Sequence, residues 1–182
     1  MNLYYIAILP TPQISEEILA FKNIFKTEFG ASNALKSPAH ITIQMPFKRH
    51  YSFQKDLSDF LREFSSQQHP FPIALDGFGH FNQKVIFVNV LYQPLLYNLK
   101  ADLAEDLKKE LKFLKNELSF KFHPHITIAT KDLTYENFIK AWKIFEKKKY
   151  AARFEASAIS LLKHNGKFWD IVENFTFRCS QG

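Results

Sequence analysis

The chain predicts an α+β protein with a bilobal, pseudo-twofold duplicated fold, in which two mainly antiparallel sheets line a central cleft and helices pack outside. Three observations predict it. The tetrapeptide His-Ile-Thr-Ile occurs twice, at 40–43 and 125–128. Each copy reads as a strand that follows one amphipathic helix and precedes another. No stretch rich in Gly, Pro or Ser separates the halves, so residues 1–182 are expected to form a single domain of two intertwined lobes.

Residues 3–9, Leu-Tyr-Tyr-Ile-Ala-Ile-Leu, form an apolar run ended by Pro10 and read as a buried strand. Ile14, Ile18, Phe21, Phe25 and Phe29 then recur at steps of three and four, one face of a helix that stops at Gly30. The first tetrapeptide opens a strand over 40–45, closed by Pro46. Phe53, Leu57, Phe60, Leu61 and Phe64 mark the inner face of a second helix. Residues 71–78 and 85–91 read as two strands joined by a turn from Gly79 to Lys84. Leu95, Leu99, Leu103, Leu107, Leu111, Leu114 and Leu118 mark the longest helix. The second tetrapeptide lies in a strand over 124–129, and Phe138, Trp142 and Phe145 mark a fourth helix. Residues 154–163 and 167–177 alternate around His164-Asn165-Gly166-Lys167, and Asn-Gly between alternating runs signals a tight hairpin.

A composition of 46% hydrophobic and 23% charged residues argues for a globular protein and against disorder. The 20 phenylalanines are expected mainly in the core. A net charge of +6 suits polyanions such as RNA, nucleotides or anionic membranes, but charge alone does not separate these from a plain solvated surface. The single cysteine, Cys179, excludes an internal disulfide and fits a reducing compartment. There is no 18-residue apolar run, and Met1-Asn2-Leu3-Tyr4-Tyr5 lacks the basic start of a signal peptide. A cytoplasmic protein with no membrane partner is therefore expected.

Side chains alternate along a strand, so His40 and Thr42 share one face and Ile41 and Ile43 the other. His125 and Thr127 stand in the same relation to Ile126 and Ile128. A pseudo-twofold axis would bring two imidazoles and two hydroxyls into one pocket. One neutral histidine can then take a proton from an attacking hydroxyl or water while a protonated one delivers a proton to the leaving oxygen. The threonines can donate to non-bridging phosphate oxygens. Lys36, Lys48, Arg49, Lys121 and Lys131 are candidates for a basic rim. One His-x-Thr triplet is unremarkable in a chain with seven histidines; two with identical aliphatic neighbours at matching places are not.

The doubled H-x-T-x signature resembles the 2H phosphoesterase superfamily, which includes the LigT or 2′-5′ RNA ligase-like proteins and RNA cyclic phosphodiesterases. The resemblance runs through the opening strand, Pro38-Ala39-His40-Ile41-Thr42-Ile43, Phe122-His123-Pro124-His125-Ile126-Thr127-Ile128 and the closing Phe168-Trp169-Asp170-Ile171-Val172. It is most similar to the compact bacterial, YjcG-like branch. Gln44-Met45-Pro46-Phe47 departs from the usual continuation of the longer members. The resemblance implies a bilobal cleft and metal-independent cleavage of a 2′,3′-cyclic phosphodiester on RNA ends or nucleotides, without a cofactor. By motif position it makes His40 the proton donor and His125 the proton acceptor, with Thr42 and Thr127 on the phosphate. In the ligation direction the two roles exchange.

Phe47, Lys48, Lys36, Tyr5, Phe81 and His123 are further candidates for substrate binding, with Phe78 and Trp169 as alternative stacking surfaces. His123 shares the face of His125 unless Pro124 breaks the alternation, and then it is a rim or structural residue. His80 falls in the turn after Gly79, and His50, His69 and His164 read as surface residues. His40, His123 and His125 could supply three metal nitrogens, but no carboxylate or cysteine stands at ligand spacing, and the threonines would be left without a role. A binding module for a phosphorylated nucleotide or RNA end, and a 2′-5′ RNA end-joining activity, are the alternatives to hydrolysis. A monomer with no obligate protein partner is expected.

Overall fold

The computed structural model of the chain describes residues 1–178; Cys179 lies outside the described residues. The apolar opening run forms β1 (Asn2–Ile8), buried from Tyr4 to Ile8 because it is paired on both edges. After it come α1 (Pro12–Phe29), a 3₁₀ turn (Asn33–Lys36), β2 (Ile41–Arg49) and α2 (Phe53–Ser66). The chain continues with β3 (Phe71–Phe81), β4 (Val85–Val90), α3 (Pro94–Leu111), α4 (Lys115–Leu118), β5 (His125–Ala129) and α5 (Tyr135–Phe145). It closes with β6 (Ala151–Ala156), β7 (Ala158–His164) and β8 (Trp169–Thr176).

The strands make two four-stranded sheets, ordered β2-β1-β7-β8 and β5-β4-β3-β6, and every neighbouring pair is antiparallel. Both His-Ile-Thr-Ile segments therefore lie at a sheet edge, one per sheet. The connecting helices exchange sheets. α1 joins β1 to β2 of the first sheet yet packs on β5 of the second, while α3 joins β4 to β5 and packs against β2. Phenylalanines supply much of the first contact. Phe25 and Phe78 meet Phe145 at ring distances of 4.8 and 5.0 Å, and Phe21 meets Phe78 edge-on at 5.3 Å, tying α1, α5 and β3 together. Each such pair adds about 1 kcal/mol beyond its area burial. No helix among the described residues is long and apolar enough to cross a membrane.

Four expectations are corrected. The first repeat strand does not close at Pro46 but runs on to Arg49. Tyr4 pairs with Phe47 and Ile6 with Gln44, so Met45 and Pro46 together oppose Tyr5 in a bulge, where an edge strand accommodates a proline. The long leucine helix breaks at Lys112, which takes the left-handed conformation (φ 56°) so that Phe113 can bury against Phe47 at 4.9 Å. Leu114, past the break, is exposed, and at the start of the helix it is Leu96 rather than Leu95 that is buried. The turn after β3 is shorter than Gly79–Lys84. Asn82 and Gln83 both carry positive φ and the Lys84 N–H donates to the Phe81 carbonyl, so the turn takes only the three residues between Phe81 and Val85, and Gly79 and His80 remain in the strand. Finally, residues 154–163 are not one strand: the chain passes from one sheet to the other at Ser157. The last hairpin lies where Asn-Gly put it, but over four residues, with the Asn165 side chain accepting from the Lys167 and Phe168 backbone N–H groups.

Candidate active site

The alternation expected for the two repeats holds in both strands. Ile41, Ile43, Ile126 and Ile128 are buried in the core, and Thr42 and Thr127 are half-buried on the opposite face. Because β2 and β5 are edge strands that approach each other, those faces meet across one cleft of about 470 Å³. His40, Thr42, His125 and Thr127 all line it.

The two imidazoles are anchored in the same way. His40 Nδ1 lies 2.8 Å from the Pro38 carbonyl, and His125 Nδ1 lies 2.7 Å from the His123 carbonyl. A carbonyl oxygen only accepts, so each Nδ1 carries a proton and donates it. This fixes the tautomer and leaves Nε2 as the nitrogen open to a ligand. Around His40 the support is extensive. The Ser37 hydroxyl lies 3.3 Å from the same Nδ1 and hydrogen-bonds the Tyr5 hydroxyl at 2.6 Å, while the Tyr5 ring packs on the imidazole at 4.9 Å. Behind His125 stand Phe87 and Phe81, with ring distances of 4.8 and 5.1 Å.

Both histidines resist protonation. Burial holds His40 down at about 4 against the pull of the Pro38 hydrogen bond, and the positive charges of Lys22 and His125 add to the depression. Burial lowers His125 too, offset in part by its own hydrogen bond and deepened by His123. Without an anion beside them, both imidazoles are neutral at pH 7. A negative charge placed beside either imidazole would raise its pKa.

Of the other residues singled out from the sequence, Lys36, Lys121, Lys131, His123, Tyr5 and Trp169 line the cleft. Phe47 does not. It is a core residue, packed on Tyr4 and Phe113. Lys48 is exposed outside the cleft lining. Arg49 is taken by a two-pronged ion pair with Glu117 (2.6 and 3.1 Å) and lies over the Phe113 ring. Phe81 is a wall behind His125 and His123 rather than a cleft surface, and Phe78 belongs to the aromatic core. His80 packs on Phe138 and Trp142. His164, read as a surface residue, lines the cleft beside Trp169.

Lys22 and Ser37 were missed by sequence reasoning. Ser37 carried no signal. Lys22 did: it falls at the i+4 step between Ile18 and the phenylalanines on the apolar face of α1, and it is only 3% exposed. Among the described residues, no group of three or more His, Cys, Asp or Glu side chains is disposed to hold a metal ion.

The model of the 2′-5′ RNA ligase superfamily matches residues 10–168. The chain belongs to that superfamily, the 2H phosphoesterase class that the doubled motif resembles. Its fold is shared by TT0787 of Thermus thermophilus, with a TM-score of 0.68 at 16% identity and full coverage of both chains. Escherichia coli LigT complexed with 3′-AMP gives the same TM-score and identity, with 97% of this chain and 98% of that chain covered. A protein described as a phosphoesterase follows at 0.63 and 15%, covering 98% of this chain and 99% of its own. No curated protein matches the sequence.

Proposed function

We propose that the protein is a metal-independent phosphoesterase that opens a 2′,3′-cyclic phosphodiester on RNA ends or nucleotides, with His40 and His125 as its acid–base pair. One observation carries this reading: two histidines with identical Nδ1 anchors line one cleft, each with a threonine two residues on that lines it too. Pure binding of a phosphate does not require two matched titratable groups.

In the proposed reaction a water oxygen bonds to phosphorus while His125 Nε2 takes the water proton. The bond from phosphorus to one ribose oxygen breaks, and His40 Nε2–H protonates that oxygen, leaving a phosphomonoester and a free hydroxyl. Thr42 and Thr127 donate to the non-bridging oxygens, where negative charge concentrates. Since His40 is the more strongly depressed imidazole, its donor role depends on the bound phosphate returning its proton. LigT has been crystallised with 3′-AMP, with ATP and with NADP+, which supports a nucleotide-sized ligand here. Lys36, Lys121 and Lys131 give the rim the charge to attract it. The single cysteine fits action in the cytoplasm.

The test is product analysis over a panel of 2′,3′-cyclic nucleotides and RNA ends, with and without chelator, against the His40→Ala/His125→Ala double variant. Ring opening by the wild type that chelation leaves unchanged and the double variant lacks is the expected result. Tight binding of every cyclic phosphate with no conversion would instead favour a binding module. Joined RNA ends would favour a 2′-5′ ligase.

A further inference from the structure

The most unusual charge in the molecule is Lys22. It sits on the core face of α1, 3% exposed, between Ile18 and Phe25, and among the described residues no carboxylate pairs with it. Its Nζ donates one hydrogen bond there, to the Ser37 carbonyl at 2.8 Å. An ammonium carries three donors, so two are left over. A buried cation without a counter-ion is strongly unfavourable unless something anionic completes it. Nothing in the core requires a lysine at this position, where a methionine would extend the apolar face. The side chain also lines the same cleft as His40, Thr42, His125 and Thr127, close enough for its charge to oppose protonation of His40.

We propose that the Lys22 ammonium is a phosphate-binding group of the cleft, a fixed cation on its floor that contacts a non-bridging oxygen of the reacting phosphoryl group. The proposal rests on the phosphoesterase reading and adds to it a third kind of group beside the imidazoles and the threonines. The bound anion supplies the missing counter-ion, and the ammonium holds the charge that builds on phosphorus-bound oxygen as the water attacks. The groups that share the cleft lining with Lys22 from the packed elements are Tyr5 on β1, Lys36 at the end of the 3₁₀ turn, Ser37 just after it, His40 before β2, and His125 on β5. None of these is an acid that could serve as a resident partner. The competing role is a tether, in which Lys22 only ties α1 to the Ser37 carbonyl and so positions the His40 segment.

Two measurements on inorganic ions separate these roles without requiring turnover. Inorganic phosphate is titrated into the full-length wild type and into Lys22→Met, whose side chain fills the same space without charge. The proposal expects phosphate affinity to fall tenfold or more while the thermal midpoint holds or rises, because a buried unpaired charge has been removed. Phosphate affinity within twofold of wild type, or no phosphate binding by the wild type, overturns it, even if activity is lost. Should Lys22→Met not fold, the wild type answers alone. Burial lowers the Lys22 ammonium to about 8, and NMR titration of its Cε and Nζ should show that value rise when sulfate is added. No rise overturns the proposal. If phosphate binding depends on Lys22 but no cyclic phosphate is ever converted, the catalytic reading fails and the binding role stands.

Discussion

His40 and His125 were legible because everything that defines them is local. Alternation assigned histidine and threonine to one face and isoleucine to the other, and the i−2 carbonyls that fix the rings belong to the same short segments. Ser37 was not, because nothing in its own segment marks a serine that meets Tyr5 and His40, and Lys22 showed only as a charge on an apolar helix face, with nothing to say which cleft that face would reach. The depressed histidines make the first prediction. In the reacting form one imidazole is protonated at Nε2 and the other is not, while both keep their Nδ1 protons, and burial lowers the pKa of both. The kcat/KM profile of the free enzyme is therefore expected to peak below pH 6.5. The kcat profile, which reports the phosphate-bound state, is expected to peak at higher pH. A kcat/KM maximum above about pH 7 contradicts this. Stability follows the same sign. His40 binds its proton near 6.5 when unfolded and only at about 4 when folded, so its contribution is present above 6.5 and is lost as pH falls toward 4. Thermal melts should show that fall in the wild type and a shallower one in His40→Gln. Thr127→Val, which removes a donor while keeping the shape, should lower kcat about 10²-fold with little change in melting temperature.

At the scale of the element, boundaries were misread wherever a distant contact overrode the local pattern. Pro46 signalled a strand end, but an edge strand tolerates it in a bulge, and that bulge turns Met45 and Pro46 toward the cleft. The leucine repeat signalled one helix, but burial of Phe113 against Phe47 ended it at Leu111. Gly79 signalled a turn, yet it stands in β3 for a different reason: a Cβ there would lie 2.6 Å from the Phe87 ring. That ring backs His125. Gly79→Ala should therefore displace Phe87 and with it the imidazole, lowering stability by about 1–3 kcal/mol and activity by more than the stability loss explains. Denaturant melts paired with rates measured well below the transition check this. Full activity in the alanine variant would mean that the Phe87 wall does not position His125.

At the scale of the whole molecule, the duplication readable in the sequence is real in arrangement, with two sheets that each end in a His-x-Thr edge strand. That α1 and α3 trade sheets was not readable. Helix periodicity reveals which face is apolar but not which surface will cover it. That exchange, together with a first sheet drawn from both ends of the chain, leads us to treat the two lobes as one folding unit. Chemical unfolding followed by tryptophan fluorescence and by far-UV circular dichroism should give one coincident transition. Two separated transitions would mean that the lobes fold independently. The cleft between the edges exists only when both sheets are in place, so activity should vanish with that same transition.

That two matched imidazoles do the chemistry is tested most directly by the turnover of a 2′,3′-cyclic nucleotide in His40→Ala and His125→Ala, each measured alone on protein shown to be folded. Each variant is expected to lose about 10²–10⁴-fold in kcat. Wild-type turnover in both variants would contradict the assignment of His40 and His125 as the acid–base pair.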